Sequence, residues 1–450
     1  MAKLNLPRGM HDYPPEEKLR RDTLIRLLIE RFEAYGFPPL ETPIVERWEV
    51  LSAKYSGGTE ILKETFQLTD QGGRALGLRY DLTVPLARFI GSHPTIKRPF
   101  KRYQIGPVFR DGPIRKGRTR QFIQCDVDIV GSSSMLADAE CLNLTLDIFE
   151  RLGFQVMVKL NNRKILYEII RHFERSEEID EAALPVSDDE IILTLDKLEK
   201  VGQAGVIKEL VDKGLERPHA EGLLGILEQL AGESNAEVLT EIMQCFAAPS
   251  EGARELEALL QSVHSEERVR IVPSLARGLS YYTGTIFEVY SLDPPFDSAL
   301  AGGGRYDRLI GDLLDTKQPY PAVGISFGLE PIMELLKASE KESGQPRTVT
   351  ELYVIPIGTV KESLALTHQL RSSGIKTDLD LIGRGVSDNL RYANTYQIPY
   401  ALLIGPDELA RGQVKLRDMR TGSEELLELP EVIARLRGGL PPDEPPHPAS

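Results

Sequence analysis

Two short pieces in the second half of the chain hold residues that could do chemistry together: LARGLSYYTGTIFEVY, from Leu275 to Tyr290, and AGGGRYD, from Ala301 to Asp307. The first is rich in β-branched and aromatic residues and reads as a long strand with Arg277 at its head. The second opens on Gly302, Gly303 and Gly304, where absent side chains let a backbone approach a ligand or another strand. As neighbouring strands they would gather Arg277, Tyr281, Tyr282 and Tyr306 around one pocket. Each piece alone has a plainer account, since buried tyrosines pack in cores and glycine runs make turns.

A second such stretch is Phe109 to Gly131, FRDGPIRKGRTRQFIQCDVDIVG. Arg110 closes one strand, and a loop with Arg115, Lys116, Arg118 and Arg120 follows. From Gln121 the period is two, with Ile123, Cys125, Val127 and Ile129 on one face and Gln124, Asp126 and Asp128 on the other. Such a polar face meets either solvent or a polar pocket. From Lys97 to Arg120 basic residues surround a single acid, Asp111, which suits a polyanion or a solvated basic face.

The elements that position these residues can be read around them. Glu16 to Tyr35 has Leu24, Leu27, Leu28, Phe32 and Tyr35 at helical spacing, ended by Gly36, and the prolines of Phe37 to Pro43 forbid helix. Asp81 stands where it could cap a helix beginning near Val84. From about Ile169 to Glu266 the pattern is helical, interrupting the strand-rich stretches. Pro321 to Leu336 is an apolar strand entering a helix, and the polar run Lys337 to Thr350 reads as a linker. Beyond it ELYVIPIG, KTDLDL, YALLIG and QVKLRD alternate with helical stretches, which predicts a mainly parallel sheet covered on both faces. The tail from about Gly438 is Pro-rich and expected to be disordered.

The whole chain sets the bounds. Its 450 residues are too many for one ordinary core, so two or three domains are expected. With 41% hydrophobic and 27% charged residues it has a globular composition, and no apolar run approaches membrane-spanning length. The start lacks the apolar centre of a signal peptide, which favours the cytoplasm. Cys125, Cys141 and Cys245 are too few and scattered for disulfides or zinc and read as core thiols, and the seven histidines show no ligand spacing. A net charge of −14 argues against binding nucleic acid over the whole surface, though not against a local basic site.

The two pieces around Arg277 and Gly302 to Gly304, in that order, resemble the histidine-recognition motifs of the histidyl-tRNA synthetase family of class II aminoacyl-tRNA synthetases. The resemblance extends along the chain from Pro7-Arg8-Gly9: the first helix and proline turn resemble motif 1, Phe109 to Gly131 motif 2, and Pro321 to Leu336 motif 3. It implies an α+β fold, with a class II catalytic core on a mainly antiparallel sheet, a helical insertion and a C-terminal α/β anticodon-binding domain. The implied division is core 1–168, insertion 169–266, core 267–337, linker 338–350, anticodon-binding domain 351–437 and tail 438–450.

It also implies the roles. Arg110 and Arg277 would flank the α-phosphate of ATP as the catalytic cations, Arg110 meeting the substrate carboxylate too, because a planar guanidinium fits such oxygens. Arg118 and Gly304 would join them at ATP. Asp81, Leu82 and Thr83 would receive the α-amino group of histidine, with Gln124, Asp128, Tyr281, Tyr282 and Tyr306 completing its site and Tyr282 and Asp128 nearest the ring. Magnesium is expected with ATP, and tRNA(His), a homodimer and a cytoplasmic location follow from the same resemblance. The chain departs from the family at Ser280, where most members have Asp, and at Pro331, where most have an arginine for the γ-phosphate. The motif 2 loop, Lys116 included, is the expected substitute for that arginine.

Two other readings differ in class. A histidine-binding regulatory subunit of ATP phosphoribosyltransferase would lack the anticodon domain and the catalytic arginines, which are present here, although Pro331 favours it. A tRNA-sensing pseudo-synthetase would be fused to a kinase, of which no signature is visible.

Overall fold

The computed structural model describes residues 4–53, 59–114, 119–176, 186–246, 249–296, 298–339 and 347–438. Two compact units emerge, Met1–His11 with Leu24–Glu342 and Asp12–Thr23 with Ser343–Ser450. Arg115, Lys116 and Arg118 of the basic loop, and the tail from residue 439, lie outside the described residues. No described helix is long and apolar enough to cross a membrane.

In the first unit the second half of helix Pro15–Ala34 buries Leu24, Leu28 and Phe32. Gly36 ends it at φ +73°, a left-handed conformation suited to glycine, and Phe37 N–H closes onto Phe32 O at 3.0 Å. A small antiparallel sheet follows, of β1 (Val45–Arg47), β2 (Gln67–Thr69) and β3 (Ala75–Leu78), with β3 in the middle.

The main sheet has seven strands: β4 (Phe100–Phe109), β5 (Gln121–Val130), β6 (Gln155–Asn162), β7 (Val269–Ile271), β8 (Thr285–Asp293), β9 (Ala301–Arg305) and β10 (Ala322–Gly328). Their order is β4-β5-β10-β9-β8-β6-β7, antiparallel except for β6 with β7. The period-two reading of β5 holds: Cys125, Val127 and Ile129 enter the apolar core. The helices between β6 and β7 begin at Arg163, earlier than the expected Ile169, because Ile165 and Leu166 already lie on the buried face with Ile169 and Phe173. Leu224, Leu227 and Val238 from those helices share one apolar cluster with Val127 and Phe287 of the sheet.

One expectation needs correction. The strand expected from Leu275 begins only at Thr285, and Arg277, Tyr281 and Tyr282 lie in the irregular segment before it. A strand would send the adjacent Tyr281 and Tyr282 to opposite faces. Here both rings are buried side by side, with centroids 4.8 Å apart.

The second unit carries β11 (Leu352–Pro356), β12 (Thr377–Leu379), β13 (Tyr400–Ile404), β14 (Val414–Asp418) and β15 (Glu424–Leu427), in the order β12-β11-β13-β14-β15. Only β11, β12 and β13 are parallel; β14 and β15 run antiparallel, so the sheet is mixed rather than mainly parallel. Residues 419–423 are too short a connection for the crossover a parallel strand requires. Apolar side chains cover both faces as expected: Leu352 and Val354 pack with Leu370 and Val432, Tyr353 and Ile355 with Ala393.

Candidate active site

The polar face of β5 opens into a cavity of about 760 Å³ in the first unit, lined by Arg110, Arg277, Asp81, Thr83, Gln124, Asp128, Tyr281, Tyr282, Gly304 and Tyr306. Ten of the expected site residues therefore meet in one place. Leu82 does not: its side chain is fully buried in the core, and its contribution is a backbone carbonyl that accepts from Arg102 Nη2 at 3.1 Å. Arg118 falls outside the described residues.

Glycines clear the floor. β5 pairs with β10 so that Asp126 lies opposite Ser326 and Asp128 opposite Gly324. A Cβ at Gly324 would stand 2.0 Å from Asp128 Oδ1, and one at Gly302 would stand 2.7 Å from Arg277 Nη1. The glycine run is thus a strand over which side chains lie, not a turn.

Arg277 forms an ion pair with Glu288 of β8 and lies 6.0 Å from the Tyr282 ring, with Nε buried and unpartnered. Burial alone would lower its pKa, but Tyr282, Glu288 and Asp196 together raise it, so it stays a cation. Arg110 follows the end of β4, donates from Nε to Tyr80 O at 3.1 Å and faces the Phe122 ring at 5.2 Å. Two guanidinium groups from separate segments thus border the same space.

Asp81 caps a helix and also lines the cavity. Its Oδ1 accepts from Thr83 N–H at 3.2 Å and Val84 N–H at 3.0 Å, capping helix Thr83–Ser92, while Oδ2 is buried with no partner. Asp128 accepts from Tyr306 Oη at 2.5 Å and lies 2.6 Å from Arg102 Nη2, an electrostatic pairing rather than a well-aligned hydrogen bond. Gln124 donates to Ser326 Oγ at 2.9 Å, and its Oε1 is buried without a donor.

Several contributors were not legible beforehand. Asp126 belongs to the polar triplet but was given no role; it too lines the cavity, with Oδ1 unpartnered. Asp196, Lys197 and Lys200 reach the cavity from the helical stretch, and no motif marks them. Arg102, counted among the basic cluster, is fully buried, while Lys101 pairs with Glu140 and Arg120 with Asp111. Among the described residues the cluster therefore forms no continuous exposed basic patch. Pro331 is the third residue of helix Leu329–Ala338, where a proline needs no N–H partner, and it presents its ring to the cavity.

Burial is the largest influence on two carboxyls here, pushing Asp81 up to about 6 and Asp126 to about 7. The folded chain holds these protons to higher pH than the unfolded chain, whose aspartates ionise near 4, so both groups favour the fold in acid and cost stability as pH climbs from about 4 to about 7. Asp126→Asn, which cannot ionise, is expected to raise the melting temperature relative to the parent more at pH 8 than at pH 5. Equal shifts at the two values would contradict this assignment.

Among the described residues no cluster of three or more His, Cys, Asp or Glu is placed to hold a metal ion. Glu64 and Glu330 line the cavity wall. Such a donor set suits a magnesium ion bound chiefly through substrate oxygens, since Mg²⁺ keeps several waters and takes one or two carboxylates.

Comparison with known proteins gives a consistent picture. Residues 9–332 match the family model "Histidyl-tRNA synthetase" and residues 351–438 the model "Anticodon binding domain". "Histidine--tRNA ligase 1" of Bacillus cereus is 40% identical over 430 residues, covering 94% of this chain and 97% of that one. "Histidine--tRNA ligase" of Gloeobacter violaceus is 36% identical over 484 aligned residues, covering 98% and 100%. The crystal structure of histidyl-tRNA synthetase from Nostoc sp. PCC 7120 superposes with a TM-score of 0.80 at 29% identity, covering 98% of this chain and 100% of that one.

Proposed function

Since the chain belongs to the histidyl-tRNA synthetase family, we propose that the cavity on its main sheet is where L-histidine and ATP react. The chain is a histidine--tRNA ligase. The histidine carboxylate attacks the α-phosphorus of ATP, the bond to the β-phosphate oxygen breaks, and histidyl-adenylate and pyrophosphate form. The 3′ end of tRNA then takes the acyl group and AMP leaves.

The single observation that carries the site assignment is the meeting of Arg110 and Arg277, from distant segments, beside Tyr281, Tyr282 and Tyr306 in one cavity. The first step brings anions together and spreads charge over phosphate oxygens, so fixed cations in a partly dry site supply most of the rate. Arg277, set in place by Glu288, takes one side of the α-phosphate; Arg110 takes the other and the carboxylate. Gly304 leaves room for the nucleotide. Asp81, Thr83 and Gln124 receive the α-ammonium. The tyrosine hydroxyls and Asp128 give the imidazole nitrogens directional partners, which an apolar slot could not. Glu64 or Glu330 would hold the magnesium that accompanies ATP, and its charge would offset that of the phosphates. The 351–437 domain would read the anticodon, the chain would act as a homodimer in the cytoplasm, and helices within 169–266 would face the acceptor stem.

The regulatory-subunit alternative is disfavoured, because relatives named as ligases align over nearly the whole chain and both arginines line the cavity. The purified protein is expected to exchange radiolabelled pyrophosphate into ATP only when histidine is present. Histidine binding without exchange would favour the regulator.

A further inference from the structure

Three residues that line the cavity each carry a buried acceptor atom with neither a hydrogen-bond donor nor an ion-pair partner among the described residues: Asp81 Oδ2, Gln124 Oε1 and Asp126 Oδ1. Two of them come from the same face of β5, at alternate positions, and the third from the cap of helix Thr83–Ser92. Buried oxygens left without donors are costly, and three around one space call for a ligand with several N–H groups. A primary ammonium has three donors and no acceptor. We infer that Asp126 completes a three-acceptor seat for the substrate's α-ammonium, together with Asp81 and Gln124.

This deepens the histidine-ligase reading and rests on it. Charge supports the same assignment. Arg102 lies against Asp128 and holds Leu82 O, and Arg79 directs Nε and Nη1 to the carbonyls of Pro107 and Thr42. Neither Asp81 nor Asp126 is in an ion pair among the described residues; Arg102 acts on both without contact, so an entering cation would be the first positive charge to touch them. Ser326, opposite Asp126 on β10, bonds its other side. The groups that face Asp126 electrostatically are Arg102, Asp128, Asp81, Arg79 and Tyr306. Burial holds its proton to about pH 7 in the empty site. An arriving ammonium would favour the ionised form, so the Asp126 proton passes to solvent as the ammonium docks.

The test compares the full-length chain with Asp126→Asn, using L-histidine, L-histidinol, which keeps the amine but lacks the carboxylate, and imidazole-propionate, which lacks the amine. The variant is expected to bind histidine and histidinol at least about tenfold more weakly, the loss appropriate to a charged hydrogen bond, with imidazole-propionate within about twofold. Equal weakening of all three, or unchanged histidine affinity, would overturn the inference. If the variant does not fold, calorimetry on the unmodified chain decides. At pH 7, where Asp81 is largely ionised, in buffers of different ionisation heat, histidine should release about half a proton more than imidazole-propionate once the ring titration of each free ligand is subtracted, a difference that fades by pH 8.5. No difference at pH 7 would overturn it. Failure here with histidine-dependent pyrophosphate exchange intact would reject the role of Asp126 alone; absence of exchange in the unmodified chain would reject the underlying reading.

Discussion

Replacing Arg277 by alanine is expected to slow histidine-dependent pyrophosphate exchange by roughly a thousandfold, the loss that follows removal of one fixed donor to developing charge. The guanidinium lies beneath Gly302, where any side chain would displace it, and is paired with Glu288, itself an acceptor from Tyr290 Oη at 2.6 Å. This chain of contacts holds the cation in place before substrate arrives. Alanine would also strand Glu288, a part-buried carboxylate, so exchange should be read beside the melting temperature, and Arg277→Lys serves as the charge-retaining control. A lysine lacks the planar fork and should recover only part of the rate. Exchange within tenfold of the parent, in a folded Arg277→Ala chain, would remove Arg277 from the chemistry.

The second large effect concerns stability. Arg102→Met should destabilise the chain by about 3–5 kcal/mol, the usual cost of leaving one partner of a buried ion pair alone. The side chain of Arg102 is 0% exposed and that of Asp128 4%, so water cannot replace the lost charge. The methionine fills most of the volume, which leaves the uncompensated carboxylate as the main source of the loss. Arg102→Met combined with Asp128→Asn should regain a substantial part of the stability while histidine binding remains weakened. A single variant as stable as the parent in denaturant titration would contradict this account of the site's foundation.

Much of the site was legible because its signals are local. The alternation of β5 sends Gln124, Asp126 and Asp128 to one face whatever lies above them. The Gly302 to Gly304 run signals close approach, and the approach proves to be of strands on one side and Arg277 on the other. What could not be read depends on contacts far apart in sequence. Tyr281 and Tyr282 sit in irregular backbone because both rings must reach the same space, a demand set by the cavity rather than by their β propensity. Arg102 looked like one more surface cation until its partner Asp128 arrived from the adjacent strand. Asp196 comes from the turn between two helices and Lys200 from the second of them, and the pattern of those helices reports only an apolar face. In the second unit, short connections decided strand direction at β14 and β15, and hydrophobic pattern carries no information on that.

The most direct measurement is a crystal structure of the protein with L-histidine and a non-hydrolysable ATP analogue. Nitrogens of Arg110 and Arg277 should lie on opposite sides of the α-phosphate, about 2.7–3.2 Å from its oxygens, with the imidazole among Tyr281, Tyr282 and Tyr306. A nucleotide bound elsewhere, or an α-phosphate touched by neither arginine, would contradict the account.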